Sequence, residues 1–404
     1  MPLFFLNLAH AYDHFFMLIF PTAVLALAPA WGMSYGEALA LGTAAFVMFA
    51  AGTLPSGWLG DRWSGAHMMT IFFIGIGASA VLTGLAPGPI TLVTGLGLLG
   101  LFASIYHPVG TALVVQSATR SGRALGINGV YGNMGVAGAA LITGTLTQFL
   151  GWRAAFIIPG VLAVITGLLF MRAIRGAGFA PAEAGAKAAP RVARPGQIRV
   201  FVVVGIGALL GGIVFHGTTI SLPKMFEARL ADLADSVAMI GLLVSIVFAI
   251  AAFAQIAVGH LLDRFGARAV LPLIVAPQAI FLALAAQAWG WSALVAAIPM
   301  MLLVFGQIPI GAWLIGHYTA ARWRSRVYAL TYVLSLGVSA LVVPLLAWLY
   351  ERTGSFGAAY LLFAGAAAII ALSALMLPRL AAGEPRPAPA AAPKSSRAAL
   401  EPHG

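Results

Sequence analysis

Long apolar runs separated by short polar segments repeat along the whole chain. A membrane-spanning helix needs about 20 mostly apolar residues, and runs of that length occur six times before residue 172 and six times after residue 199. They lie at residues 3–30, 37–58, 67–87, 90–116, 124–149 and 153–171, and then at 200–222, 236–258, 269–288, 291–318, 327–349 and 357–377. The pattern predicts an all-α integral membrane protein with twelve transmembrane helices.

The composition supports lipid as the solvent of this chain. Of its 404 residues, 61% are hydrophobic and 8% are charged, whereas soluble domains carry about 25% charged residues. Two polar stretches rich in Ala, Pro and Arg interrupt the pattern. We therefore predict a first helical bundle at residues 1–171, a cytoplasmic linker at 172–199, a second bundle at 200–378 and a disordered cytoplasmic tail at 379–404.

The basic residues are distributed unevenly between the two sides of the predicted membrane. The formal net charge is +11, and 18 of the 22 Lys and Arg fall in alternate loops, the linker and the tail, all on one side. By the positive-inside rule this side is cytoplasmic. We expect a multi-pass protein of a bacterial inner membrane with both termini in the cytoplasm. The basic charge then reflects topology, and nucleic acid is not an expected partner.

The chain contains an internal repeat. The segment Gly-Trp-Leu-Gly-Asp-Arg at residues 57–62 recurs as Gly-His-Leu-Leu-Asp-Arg at 259–264, an offset of 202 residues, and the same offset relates His14 to His216. Such a repeat predicts two pseudo-symmetric six-helix bundles around a central path, an arrangement suited to rocking.

The repeated motif resembles a signature of the major facilitator superfamily. Gly-x-x-x-Asp-Arg-x-Gly follows the second predicted span and again the eighth, and the resemblance covers residues 1 to about 378. The matching positions are Gly57, Asp61 and Arg62 in the first copy, and Gly259, Asp263, Arg264 and Arg268 in the second. Ser64 replaces the usual glycine of the first copy. The resemblance implies an MFS-type fold that works by alternating access, and a monomer.

The resemblance also implies a conformational latch built from these motif residues. In the family the motif aspartate rests against a helix N-terminus of the opposite half and holds the outward-open state. Here that places Asp61 near the start of the run at Val327. A carboxylate at a helix N-terminus contributes about 0.3–1 kcal/mol and is readily released on rocking.

Further segments resemble the fosmidomycin-resistance branch of efflux proteins, which implies export. They are Tyr106-His107-Pro108, Ser121-Gly122-Arg123, Gly132-Asn133-Met134-Gly135 and His10-x-x-Asp13. The Gly-Pro pair of the fifth span in many antiporters is missing here, so the resemblance does not carry over an antiport direction.

Asp13 is the one acidic residue inside an apolar run; the other ten lie in loops, linker or tail. A rise of 1.5 Å per residue from Leu3 places it roughly 15 Å deep, near the middle of the bilayer. A charge there costs about 2.5–3.5 kcal/mol even on the lenient insertion scale. Asp13 is therefore a candidate functional residue, although a protonated Asp13 that only orients helices is the alternative.

Histidines accompany this carboxyl group. Asn7, His10, Asp13 and His14 form a polar stripe at helical spacing, and we expect it to titrate as a coupled unit. We predict that Asp13 loads and releases a coupling proton while His10 or His14 tunes it. His107 and His216 lie in other spans and are further candidates for proton coupling or substrate binding. Each of these imidazoles is alternatively a packing histidine.

Neutral polar side chains add hydrogen-bonding capacity for a substrate. The candidates for the cavity are Asn7, Tyr12, Tyr106, Tyr131, Asn133, Gln255, Gln278 and Gln307. No Lys or Arg lies in the interior of a run, which favours a neutral, amphipathic or cationic organic solute over a strong anion. A small organic acid bound by a protonated His is an alternative, as is a divalent metal ion, since neutral imidazole suits zinc, nickel and iron.

Several other classes of function are disfavoured. There are no cysteines and no Gly-x-x-x-x-Gly-Lys-Ser/Thr motif, which excludes thiolate chemistry and points to an ion gradient as the energy source. No nucleophile–base constellation predicts an enzyme, and we expect no cofactor. The chain is therefore predicted to be a proton-coupled secondary transporter of a small solute. A membrane assembly factor or sensor that has kept the fold without transporting is the remaining alternative.

Overall fold

The computed structural model describes residues 2–117, 121–176, 196–319 and 321–378, and these residues form helices and short connections with no β-strand. The predicted tail at 379–404 and most of the predicted linker, residues 177–195, lie outside the described residues. Twelve helical segments are long and apolar enough to cross a membrane. They form two six-helix bundles, named here the N-half (spans one to six) and the C-half (spans seven to twelve).

The N-half contains nine α-helices and one π-helical turn among the described residues. Its helices are α1 (Pro2–Met17), α2 (Ile19–Ala30), α3 (Tyr35–Leu41), α4 (Thr43–Arg62), α5 (Gly65–Gly84), α6 (Pro89–Ala103), the π turn (Tyr106–Gly110), α7 (Thr111–Ser117), α8 (Ser121–Leu150) and α9 (Trp152–Gly176). The first, second and fourth spans are therefore each built from consecutive helical pieces.

The C-half continues with eight α-helices and a final 3₁₀ turn in its described part. They are α10 (Gln197–Arg229), α11 (Val237–Ala252), α12 (Ala254–Phe265), α13 (Ala267–Gln287), α14 (Trp291–Tyr318), α15 (Ala321–Gly337), α16 (Ser339–Thr353), α17 (Gly357–Ser373) and the 3₁₀ turn (Ala374–Met376). Helices α9 and α10 extend a few residues into the two ends of the predicted linker. All twelve predicted apolar runs correspond to spans.

Two of the helix irregularities lie next to prolines. The first span is interrupted at Leu18, whose N–H bonds to the carbonyl of Phe15, three residues before Pro21. The fourth span widens into the π turn around Pro108. Proline lacks the N–H that a regular α-helical turn requires, and single π turns inside membrane helices are frequent at functional sites.

An even number of spans puts residues 2 and 378 on the same side of the membrane, named here the terminal face; the opposite side is the distal face. Contacts between the halves concentrate toward the distal face, where α2 packs on α10 and α11, α3 on α16, and α8 on α11. A Cβ atom on Gly144 of α8 would lie only 2.6 Å from the carbonyl oxygen of Val237 in α11. Glycine therefore allows the backbones of the two halves to approach closely there.

Three of the four cations on the distal side bind neighbouring polar groups, and the fourth, Arg352, lies over the ring of Trp348. The Arg153 guanidinium donates to the carbonyl of Ala86 at 3.0 Å. Arg229 donates to the carbonyl of Ala286 at 2.9 Å, at the end of α13, where the last carbonyls of a helix have no partner of their own. Lys224 pairs with Glu227. These three cations therefore satisfy local acceptors at loop ends.

Candidate functional site: an aspartate–histidine cluster between the two halves

Asp13 lies in the middle of the first span and is 1% exposed. Helix α1 places it one residue before His14 and three after His10, so the stripe predicted from the sequence is helical. Its neighbours come from α1 itself and from the π turn of the fourth span.

His107 of the π turn is the partner of Asp13. Its Nε2 lies 3.1 Å from Asp13 Oδ2, with both side chains buried. The two atoms are in close contact but are not aligned for a hydrogen bond, and Asp13 Oδ1 has no hydrogen-bond partner among the described residues. The carboxyl group therefore keeps unused capacity on the oxygen that does not face His107.

Three imidazoles cluster around this carboxyl group. The ring of His10 is 5.0 Å from that of His14 and 5.6 Å from that of His107, and the rings of His14 and His107 are also 5.6 Å apart. One ring nitrogen from each of the three lies within 4.8 Å of the others. The cluster thus offers several nitrogen acceptors and one carboxylate in a small volume.

Asn128 of α8 forms hydrogen bonds with residues of the first and fourth spans next to the cluster. Its side-chain oxygen accepts a hydrogen bond from the Tyr106 hydroxyl at 2.8 Å, and its amide nitrogen donates to Asn7 Oδ1 at 3.0 Å. Its backbone carbonyl lies 2.8 Å from His10 Nδ1. The ring of His10 stacks on that of Tyr106 at 4.8 Å. One buried amide therefore connects the first, fourth and fifth spans.

A glycine makes room for His10 against α8. A Cβ atom at Gly132 would lie 2.6 Å from Cε1 and from Nε2 of the imidazole, closer than non-bonded atoms tolerate. Gly132 lies one turn after Asn128, so the same face of α8 supplies both the carbonyl that binds the ring and the space that receives it.

A cavity adjoins this cluster and is shared by the two halves. Half of its lining side chains are apolar, and the polar half consists of a carboxyl group, imidazoles and hydroxyls. The lining residues are Asp13, His14, Met17, Leu18, Phe46, Phe49, His107, Phe215, His216, Thr219, Leu336 and Ser339. No Lys or Arg belongs to this set.

His216, which the 202-residue repeat relates to His14, belongs to the C-half and lines the cavity. It lies on α10, with its ring 6.1 Å from that of Phe46 in the N-half. Tyr332 of α15 also crosses between the halves, because its ring lies 5.4 Å from that of His107. The Asp13–His107 pair is thus in contact with a helix of the C-half.

Most of the remaining predicted polar residues form hydrogen bonds within or between the two halves. Tyr106 and Asn7 belong to the network of Asn128. Tyr12 points into the N-half instead, where its hydroxyl lies 3.3 Å from the Thr166 hydroxyl. Asn133 accepts a hydrogen bond across the halves from Gln255 at 3.1 Å.

None of the neutral polar residues predicted for the cavity is among its lining residues, and the last three lie elsewhere in the two halves. Gln278 is fully buried in α13 with neither side-chain polar atom hydrogen-bonded within the described structure. Gln307 of α14 lies against Gly211 of α10, and Tyr131 of α8 is half-buried.

The motif residues of the expected latch lie at the terminal face. Asp61 and Arg62 end α4 and are exposed, with the Arg62 guanidinium 4.5 Å from the centre of the Trp58 ring. In the second copy, Asp263 and Arg264 are exposed on α12.

The other motif positions have backbone or packing roles. Arg268 donates a hydrogen bond to the carbonyl of Leu377. This bond joins the start of α13 to the residue that follows the final 3₁₀ turn. Gly57 packs near Pro108, and space around Gly259 is open. Helices α4 and α15 are in contact, but the side chains at 321–326, next to the predicted docking point of Asp61, lie outside the description.

Sequence reasoning missed Asn128 and the aromatic wall of the cavity. Asn128 is a polar amide in an apolar span, which was a usable signal, but it stands between two glycines in a segment predicted only as a transmembrane span. Phe46, Phe49 and Phe215 carry no such signal, because aromatic residues are common on lipid-facing positions as well.

Comparisons with known proteins agree with this architecture. The model of the Major Facilitator Superfamily matches residues 3–230, more than half of the chain. The chain is 31% identical over 126 residues to the puromycin resistance protein pur8 of Streptomyces alboniger, covering 30% of this chain and 25% of that one. It is 31% identical over 163 residues to a "Probable 4-methylmuconolactone transporter" of Cupriavidus pinatubonensis, covering 38% of each. The matches thus span about a quarter to two fifths of these relatives.

Solved structures share the fold at low sequence identity. A D-xylose–proton symporter matches with a TM-score of 0.74 and 15% identity over 93% of this chain and 97% of that one. A bacterial homolog of the human lysosomal transporter Spinster, in an inward-facing and occupied conformation, matches with a TM-score of 0.68 and 15% identity over 93% of both chains. With its twelve spans, its duplicated halves and the family match across more than half of its length, the chain belongs to the Major Facilitator Superfamily.

Proposed function

We propose that this protein is a secondary active transporter that moves a small organic solute by alternating access, coupled to protons that are loaded on Asp13. The observation that carries the proposal is the position of this carboxyl group. It is 1% exposed, in contact with His107, and on the wall of a cavity lined by both halves. A residue that is costly inside a membrane and faces the path between the halves is suited to binding a coupling ion.

The contact with His107 provides a physical basis for coupling. At 3.1 Å, a carboxylate and an imidazolium attract each other by about 5 kcal/mol at an effective dielectric constant near 20. Protonation of Asp13 removes this attraction, and deprotonation restores it. The protonation states of the two groups are therefore linked, and a solute that contacts either one changes the proton occupancy of the other.

The cavity wall favours a neutral or cationic organic solute. Phe46, Phe49 and Phe215 provide apolar and aromatic surface, while Asp13 and the imidazoles provide acceptors. The relatives point the same way, since the name of one concerns puromycin and that of another 4-methylmuconolactone. We propose export as the direction, because segments of the sequence resemble a branch of efflux proteins.

A divalent metal ion is the second candidate cargo. It is favoured by the three imidazole nitrogens within 4.8 Å of one another, because neutral imidazole is a common ligand of zinc and nickel. A small organic acid that pairs with a protonated imidazole is the third candidate. The three candidates differ in which added solute is expected to be transported.

We further propose the topology and the latch. The basic residues place the terminal face in the cytoplasm of a bacterial cell and the distal face outside. Asp61 then lies at the cytoplasmic end of α4, where docking onto the start of α15 stabilises the outward-open state. We propose that the protein works as a monomer, since both halves of the cavity come from one chain.

The proposal is tested in proteoliposomes that contain purified protein and an internal pH indicator. Puromycin, 4-methylmuconolactone, other organic cations and acids, and Zn²⁺ are added in turn. We expect one organic solute to change internal pH in the wild type and much less in His107→Gln. His260→Gln is the matched control, because His260 is exposed on α12 and far along the chain from the cluster.

Three results would contradict parts of this account. A pH change caused by Zn²⁺ alone would identify a metal transporter. Solute binding without any pH change or uptake would identify a sensor. Equal loss in His107→Gln and His260→Gln would remove the central cluster from the mechanism.

A further inference from the structure

At the distal face, Tyr35 of the N-half packs against a group of C-half side chains, named here the cradle, which consists of Tyr350, Phe356 and Lys224. Tyr35 begins α3 and is 8% exposed. Its ring lies 4.9 Å from that of Tyr350 and 6.1 Å from that of Phe356, both in edge-to-face geometry. Aromatic pairs in this geometry attract each other beyond the effect of burial alone.

Lys224 completes the cradle. Its ammonium nitrogen lies 5.0 Å from the centre of the Tyr35 ring and 5.7 Å from that of Tyr350. It is held in place by Glu227, one turn further along α10. A cation this close to an aromatic face is attracted by the ring, and more strongly where water is excluded. The attraction to Tyr35 joins the halves, whereas the Lys224–Glu227 pair lies within the C-half.

A hydrogen bond next to Tyr35 also crosses between the halves. The backbone N–H of Gly36 donates to Glu351 Oε1 at 2.7 Å, from the start of the second span to the end of the eleventh. A bond to an ionised acceptor is stronger than one between neutral groups. A Cβ atom on residue 36 would lie 2.7 Å from Glu351 Cδ, so a larger residue here would displace the Glu351 side chain from this hydrogen bond.

We infer that Tyr35 and the Gly36–Glu351 hydrogen bond form a gate that closes the cavity toward the distal face. The inference rests on the proposed alternating access, in which the halves rock against each other. Contacts that bridge the halves at one face cannot persist when that face opens. The gate consists of ring contacts and one hydrogen bond, so it can open and close repeatedly.

The gate complements the latch proposed for the opposite face. Both use the second and eleventh spans: Asp61 at the terminal end of α4 would stabilise the state open to the distal side, and Glu351 at the distal end of α16 stabilises the state closed to it. Loss of either carboxylate then shifts the balance of the two states in opposite directions.

The absence of cysteine in the chain gives a direct test. A single Ser339→Cys substitution places a thiol on the cavity wall, and a membrane-impermeant maleimide is applied to sealed vesicles from the distal side. A separate Asp232→Cys variant, in the exposed distal turn, establishes which side of the vesicles carries that face. The initial labelling rate reports how often the cavity opens to it, with no need for a solute or a proton gradient.

We expect Glu351→Gln and Gly36→Ala each to raise the labelling rate of the Ser339→Cys reporter about fivefold, because each weakens only the distal-closed state. Glu37→Gln is the matched control, since Glu37 lies two residues beyond Tyr35 and its carboxylate bonds to the Ser34 backbone within the N-half. Its labelling rate is expected to equal that of the reporter alone.

Two outcomes would overturn the inference: unchanged labelling in both gate variants while the Asp232→Cys thiol reacts normally, or an equal increase in Glu37→Gln. Size-exclusion chromatography confirms that each variant is folded before it is labelled. A failure to find a transported solute would count against the proposed function. It would not change the result of the labelling test of the gate, which needs no solute.

Discussion

Replacing Asn128 by alanine tests whether the amide behind the cluster holds the first, fourth and fifth spans together. The substitution removes the acceptor of the Tyr106 hydroxyl and the donor to Asn7. Side-chain hydrogen bonds between membrane helices contribute about 0.6 kcal/mol each on average. A buried hydroxyl left without a partner costs about a further 1–3 kcal/mol, and Tyr106 is fully buried. We therefore expect a loss of about 2–4 kcal/mol in the free energy of unfolding.

The measurement is reversible unfolding in detergent micelles, followed by circular dichroism, for the wild type, Asn128→Ala, Tyr106→Phe and the double variant. Because the two side chains share one hydrogen bond, the effects should not be additive, and the coupling energy should be about 1 kcal/mol. Additive effects of the two substitutions, or a loss below about 0.5 kcal/mol in Asn128→Ala, which is typical of substitutions away from such networks, would refute the reasoning.

Three further predictions follow from single contacts. Gly132→Ala should displace the ring of His10 and lower the free energy of unfolding by about 1–3 kcal/mol, as overpacking of a close contact does; an unchanged unfolding midpoint would contradict this. A double-mutant cycle of Asn133→Ala and Gln255→Ala should give a coupling energy of about 0.6 kcal/mol for their hydrogen bond, and additivity would disprove its presence in the membrane. Asp61→Asn should lower the labelling of a cavity thiol from the distal side, whereas an increase would contradict the proposed latch.

The sequence was sufficient to predict the architecture. Hydrophobic runs reveal spans because the bilayer sets their length, and the repeat of residues 57–62 at 259–264 revealed the two halves. Asp13 was also predictable, since a single acidic residue in an apolar span has no ordinary place in lipid. The side chain is buried between helices, and both its depth in the bilayer and its role in coupling stay predictions.

The partners of Asp13 could not be predicted in the same way. His107 reaches the carboxylate from a π turn, which changes the helical phase that a regular spacing assumes. The hydrogen bonds of Asn128 and the contacts of Tyr35 with the cradle depend on which faces of several helices meet. Such contacts are between residues far apart in the chain, and the periodicity of one span contains no information about the phase of its neighbour.

The pairing of Asp13 with proton movement is the central claim. It is tested most directly by comparing wild type and Asp13→Asn in proteoliposomes under two conditions, with a pH gradient and with solute exchange at equal pH. Asparagine has nearly the same shape but carries no titratable proton. The account predicts that the variant loses accumulation driven by the pH gradient while it retains exchange. Accumulation at the wild-type level in Asp13→Asn would contradict the account and would leave Asp13 with a structural role between helices.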